Sequence, residues 1–190
     1  KMRDTEACVA YHQALGCKYT ALGSFKGAWE GDTTTQMFRD FAKEFSPIAK
    51  ALAAKGVYVG YHNHAAELTR LDDKRWLDVL IDECDESVWF EIDTYWITAG
   101  GGDPAAWIDK VAASGKNRIP CVHLKDMDLV PVQKQRMCEV GSGNLNWPRI
   151  LEACRKANVQ WYLVERDSGV LDPFDSLKIS LENLHEMGVK

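Results

Sequence analysis

Apolar and polar residues alternate in short runs along the chain, and between the runs apolar positions return every three or four residues. Period two marks half-buried strands and the longer period marks amphipathic helices, so their regular succession predicts βα units and a parallel sheet. Six runs read as strands: Lys18 to Ser24, Val57 to Asn63, Val88 to Trp96, Ile119 to Asp126, Met137 to Val140 and Trp161 to Arg166. Helix starts are legible between them. Asp103-Pro104 and Asp172-Pro173 each set an N-cap acid before a proline at the first helical position, and Asn146 stands similarly before Trp147-Pro148. In the last helix Phe174, Leu177, Leu181 and Leu184 form one apolar stripe, and Gly188 suits the position just past its end. A further helix, Arg3 to Leu15, precedes the first strand. The pattern therefore opens in the middle of a repeat, and two βα units of a complete eight-unit barrel are expected to be missing.

Side chains two apart on a strand share a face, which sorts core from candidate chemistry. Gly60, His62 and His64 share one face, as do Trp89, Glu91, Asp93 and Tyr95. Cys121, His123 and Lys125 follow, then Glu139, then Trp161, Leu163, Glu165 and Asp167. In each run the polar members gather towards the C-terminal end, while Val57, Val59, Val122, Leu124 and Val164 keep the opposite face apolar. This is the layout of a TIM (β/α)₈ barrel, whose chemistry sits at the C-terminal rim of its strands. Singly, each histidine has a plain reading as a hydrogen-bonded core residue, and each acid as a strand-end cap. Together, several carboxylates at one rim repel one another unless a cation or proton lies between them, which points to a divalent metal. Imidazole with carboxylate suits Mn, Mg, Co or Zn.

Composition narrows the partners. With 23 Lys+Arg against 28 Asp+Glu the net charge is −5, and no basic stripe exists to bind nucleic acid. The six cysteines are scattered without a Cys-x-x-Cys pair, in a chain of 190 residues that is 46% hydrophobic, so they read as reduced, mostly core thiols of a cytoplasmic protein. No apolar run is long enough to span a bilayer. Residues 1–190 read as one partial barrel domain.

Five segments carry a family resemblance: Gly60-Tyr-His-Asn-His-Ala-Ala-Glu-Leu68, Phe90-Glu-Ile-Asp-Thr-Tyr-Trp96, Val122-His-Leu-Lys-Asp126, Glu139-Val-Gly-Ser-Gly-Asn144 and Leu163-Val-Glu-Arg-Asp167. In this order the sequence resembles the xylose isomerase-like TIM-barrel superfamily of sugar phosphate isomerases and epimerases, which also holds inosose dehydratase and endonuclease IV. The segments run from that family's third strand to its eighth. The resemblance implies a metal held by Asp93, His123 and Glu165, with Glu67 as the fourth ligand and His62 or His64 as its alternative. It also implies Glu67, Glu165 and Lys125 as catalytic groups, and His62, His64 and Trp96, flanked by Trp29 and Phe25, as the sugar-binding wall. Gly141-Ser142-Gly143 falls where TIM barrels often bind phosphate, but with no Lys or Arg in the loop it reads as a tight turn.

The implied activity is isomerisation or epimerisation of a sugar or sugar phosphate through a metal-bound enediolate. Dehydration of a keto-sugar or keto-inositol is the near alternative, and a non-catalytic sugar-binding barrel fragment is a third reading that the two missing units make serious. Phosphodiester cleavage fits poorly, since five histidines and an acidic chain suit neither a multi-zinc cluster nor DNA. The expected partners are a small carbohydrate and, to cover the open sheet edges, a second copy or a completing chain.

Overall fold

The computed structural model describes residues 2, 4–71, 74–131 and 134–190; Arg3, the expected start of the first helix, lies outside them. In chain order the elements are α1 (Thr5–Ala14), β1 (Tyr19–Leu22), α2 (Thr35–Ala53), β2 (Tyr58–His62), a 3₁₀ turn (Ala66–Leu68), β3 (Arg70–Leu71), β4 (Lys74–Arg75), α3 (Trp76–Glu83), β5 (Trp89–Asp93), α4 (Thr94–Ala99), α5 (Pro104–Ala113), β6 (Cys121–Leu124), β7 (Asp126–Val130), β8 (Lys134–Cys138), α6 (Trp147–Lys156), β9 (Trp161–Val164) and α7 (Pro173–Glu186). Among the described residues five parallel strands, in the order β1-β2-β5-β6-β9, form a curled half-barrel, and the helices pack outside it.

The expected caps form. Asp103, Asn146 and Asp172 accept from the amides of Ala105, Arg149 and Phe174, and each helix has its proline in the first turn. The long α2 starts at Thr34, whose hydroxyl accepts from Met37 N, and turns Phe38, Ala42, Phe45, Ala49 and Leu52 inwards at helical spacing. These meet the outward face of β2, where Val57, Val59 and Tyr61 are buried. Truncating one of the larger members, such as Leu52→Ala, is expected to cost about 2–5 kcal/mol, the usual range for a fully packed leucine. Gly60 is fixed by the sheet itself, since a Cβ there would lie 2.5 Å from both the backbone oxygen and the indole of Trp89.

Two expectations need correction. Met137 to Val140 is not a sixth parallel strand. β6 pairs directly with β9, Cys121 against Trp161 and Leu124 against Val164, so the ladder has no place for a strand between them. Instead β8 turns back antiparallel on β7, from Val130 against Lys134 to Asp126 against Cys138, and each satisfies the other's backbone. The run Val88 to Trp96 is also too long. Its strand stops at Asp93, whose Oδ1 accepts from Trp96 N at 2.9 Å and starts α4 at once. No helix among the described residues is long and apolar enough to cross a membrane.

Candidate functional site

Neighbouring strands set the site by register. His62 lies opposite Glu91 across β2 and β5, and Asp93 opposite His123 across β5 and β6. All four side chains belong to the inward alternation, so they stack side by side in the concavity. One ligand atom each from His62, Asp93 and His123 lies within 4.8 Å of the others. Glu165, just past β9, joins from the far side with Oε2 at 3.6 Å from His123 Nδ1, and Asp93 Oδ2 is 3.7 Å from the same nitrogen. Glu91 sits beneath, with Oε1 at 3.3 Å from His123 Nε2 and Oε2 at 3.4 Å from His62 Nδ1.

Asp93 is completely buried, yet only Oδ1 is used, as the helix cap; its Oδ2 has no hydrogen-bond partner. His62 Nδ1, His64 Nδ1 and His123 Nδ1 are likewise buried without one, the first lying within ion-pair reach of Glu91 but without hydrogen-bond alignment. Buried polar atoms are ordinarily paired, so this concentration at one strand rim is the signature of a group that the protein is shaped to hold. The donor set of imidazole and carboxylate, without thiolate, fits a small divalent cation.

The charges agree with that reading. Burial alone would lower the pKa of His123, but the carboxylates of Asp93, Glu165 and Glu91 outweigh it and push the imidazole up to about 11. For Glu91 burial works upwards, and contact with His123 and His62 overrides it, holding the carboxyl at about 2. Glu165 is held below the carboxylate range chiefly by His123, against its desolvation, with help from Lys125. Lys125 is fully buried, with Nζ 2.7 Å from Glu165 Oε2, in contact with Asp167, and 5.0 Å from the centre of the Trp96 ring. Burial would lower its pKa; Asp167 and Glu165 raise it instead, so it remains an ammonium. Without a metal, then, the site already neutralises its carboxylates with the cations it has.

His64 lies beyond the end of β2 between aromatic walls, 4.7 Å from Trp29 and 5.3 Å from Trp96 between ring centres. Its pKa is lowered, first by burial and then by His62. Phe25 does not join this wall; it stacks on Phe41 of α2.

Glu67 stands apart. It is fully buried, but Oε1 accepts from Trp29 Nε1 at 3.1 Å and Tyr61 OH at 2.8 Å, while Oε2 accepts from His64 N at 2.7 Å. Three donors satisfy that carboxylate, and it lies outside the His62–Asp93–His123 group. Glu139 is also engaged elsewhere, paired with Arg166, which also donates to Ser176. In the Gly141–Gly143 loop the amides of Gly141, Gly143 and Leu145 donate to the buried carboxylate of Asp126, as does Trp147 Nε1. The turn is held by the protein's own anion.

Two supporting residues were not singled out by the alternation argument, and a third was placed by it without a role. Asn63 Oδ1 accepts from Asp93 N at 3.1 Å, and Thr94 Oγ1 bridges Lys125 N and O, locking β5 and β6 at their ends. Glu91 was placed on the right face without a role. Its position directly across from His62 and two before Asp93 was the available signal.

A family model described as the xylose isomerase-like TIM barrel matches residues 1–187. Inosose dehydratase from Clostridium tetani (strain Massachusetts / E88) is 27% identical over 150 residues, which is 70% of this chain and 48% of that protein. A sugar phosphate isomerase/epimerase from Parabacteroides distasonis superposes with a TM-score of 0.76 at 25% identity, over 97% of this chain and 64% of that one. The IolI protein, solved with a bound zinc atom, superposes at 0.70 with 11% identity over 97% of this chain and 68% of its own, a likeness of fold alone. The chain spans about half the length of the curated relative it matches.

Proposed function

The chain belongs to the xylose isomerase-like TIM-barrel family, and on that premise we propose that it acts as a divalent-metal-dependent enzyme isomerising or epimerising a sugar or sugar derivative. The observation that carries this reading is the buried, unpartnered pair of Asp93 Oδ2 and His123 Nδ1 at the strand rim, with His62 within ligand reach of both residues. In our reading Asp93, His123 and Glu165 hold the ion, and His62 fills the fourth place that the resemblance gave to Glu67. Mn, Mg, Co or Zn would suit these donors. When bound, such an ion supplies Lewis-acid polarisation of a carbonyl.

The protein's own groups do the rest. Glu165, ionised and half-open to the pocket, takes the proton from the carbon beside the carbonyl. The Lys125 ammonium, anchored by Glu165 and Asp167, places fixed positive charge beside the oxygen on which charge develops. Glu165, then a carboxylic acid, returns the proton to the neighbouring carbon, and His64, whose pKa is lowered first by burial, hydrogen-bonds the sugar hydroxyls. Trp96 and Trp29 bracket the sugar's apolar face.

A second reading, dehydration, is favoured by the 27% identity to inosose dehydratase. It uses the same proton abstraction, after which the hydroxyl on the next carbon takes up the proton that Glu165 removed and leaves as water. Both readings are tested by measuring metal per chain after purification, and deuterium uptake from solvent at the carbon beside the carbonyl in a ketose and in an inosose. About one ion per chain with exchange in either substrate supports the proposal; no ion and no exchange defeats it.

A further inference from the structure

We propose that Glu91 is a positioning residue of the metal centre, a buried carboxylate that spans His62 and His123 and leaves Nδ1 of His123 turned towards Asp93. The inference rests on the metal-site reading above and adds a role for a residue that reading leaves unused. β5 lies between β2 and β6, so a residue on its inward face can touch both neighbours. Glu91 does so with one oxygen for each ring, Oε2 at 3.4 Å from His62 Nδ1 and Oε1 at 3.3 Å from His123 Nε2. It is 7% exposed, which leaves water little access to either oxygen.

An ionised carboxylate only accepts hydrogen bonds, so the ring nitrogen facing it carries the proton. For His123 that assigns N–H to Nε2. With a divalent cation seated among Asp93, Glu165 and His123 in place of the second ring proton, the lone pair belongs to Nδ1, the nitrogen 3.7 Å from Asp93 Oδ2 and 3.6 Å from Glu165 Oε2. For His62, the same rule places the proton on Nδ1 and frees Nε2. One carboxylate thereby sets the tautomer and orientation of two imidazoles. The alternative is that Glu91 only fills space beneath the rings.

Zn²⁺ affinity, measured by competition with a chromophoric chelator at pH 7.5, separates the two. Glu91→Gln keeps the side chain's size, but its amide can accept from one ring only and must present N–H to the other. Affinity is expected to fall about 10–100-fold, the range for outer-shell partners of ligand histidines. The thermal midpoint of the metal-free protein should change little. In ¹⁵N-labelled, zinc-loaded protein, His123 should show protonated Nε2 in the wild type and a mixture of ring forms in the variant. Glu91→Asp, which keeps the charge, should recover part of the lost affinity and covers the case in which the Gln variant fails to fold. Gln and Asp variants that both bind Zn²⁺ within twofold of wild type would overturn the role of Glu91 alone. A wild-type chain that takes up no Zn²⁺ would overturn the metal-site reading beneath it.

Discussion

Asp126 and Asp93 are both completely buried aspartates at the ends of adjacent strands, and they are treated in opposite ways. Around Asp126 the protein supplies loop amides and the indole of Trp147, so both oxygens are engaged. Around Asp93 it supplies one amide to Oδ1, then leaves Oδ2 without a hydrogen bond, 3.7 Å from His123 Nδ1 and 3.9 Å from Lys125 Nζ. A buried carboxylate with its lone pairs filled is a structural staple, because each charge-assisted bond contributes about 1.5–3 kcal/mol to holding the loop. One left half-filled costs stability and is tolerated where something else completes it. By this criterion Glu67 falls with Asp126.

The contrast is broken most directly by neutralising each aspartate. Asp93→Asn should reduce Zn²⁺ affinity by more than the roughly 100-fold that an outer-shell group controls, while the metal-free protein melts close to wild type because Asn retains the capping oxygen. Asp126→Asn should do the reverse, lowering stability by about 3 kcal/mol or more as an amide replaces an acceptor facing several N–H donors. Calorimetry and chelator competition on the same samples read both. Swapped outcomes would end the distinction.

Next in size is the chemistry assigned to Glu165. Glu165→Gln keeps one coordinating oxygen and removes the base, so solvent deuterium exchange into substrate should drop about 100- to 10,000-fold, the span of a general base. Most of the bound metal should remain. A variant that turns over substrate at the wild-type rate would show that the base lies elsewhere.

A smaller effect follows from charge. In the metal-free protein His123 is raised from 6.5 to about 11, so its contribution to stability is fully present below pH 6.5 and is lost as pH rises through about 11. Glu91, held at about 2 instead of 4.5, contributes above pH 4.5 and loses that contribution as pH falls through about 2. The two share the Glu91–His123 contact and so do not simply add. The thermal midpoint after chelator treatment is therefore expected to peak between about pH 4.5 and 6.5 and to decline on either side. A midpoint that stays level from pH 6.5 to 9 would remove the imidazolium from the site.

Much of this was legible from period-two alternation, because a parallel sheet converts sequence neighbours two apart into spatial neighbours at one rim. His62, Glu91, Asp93, His123, Lys125 and Glu165 all emerge that way, and the Asp-Pro pairs announce α5 and α7. What stayed hidden depends on contacts far apart in sequence. Trp29 reaches Glu67 across 38 residues, and although Tyr61 and the His64 amide lie within the Gly60–Leu68 segment, only the fold turns all three donors onto one carboxylate. The hairpin of β7 and β8 escaped for a related reason. Its β-rich second half, Met137 onwards, has the composition of a barrel strand, and only the pairing of Asp126 with Cys138 shows where it belongs.

The smallest expected effect tests the hardest assignment. The family resemblance makes Glu67 a ligand and a base, whereas its contacts make it the counterpart of Asp126: fully buried, with Trp29, Tyr61 and the His64 amide filling its oxygens. Glu67→Gln preserves shape and one acceptor oxygen but turns an amide N–H₂ towards a donor, leaving one buried mismatch. That should cost about 1–3 kcal/mol of stability. Zn²⁺ affinity should stay within twofold of wild type, since no ligand is lost. The deuterium exchange rate should fall only as far as His64 shifts when its amide loses an anchor. If affinity instead drops tenfold or more while the thermal midpoint holds, Glu67 exchanges its three donors for the metal on loading, and half-filled oxygens would no longer distinguish site from staple.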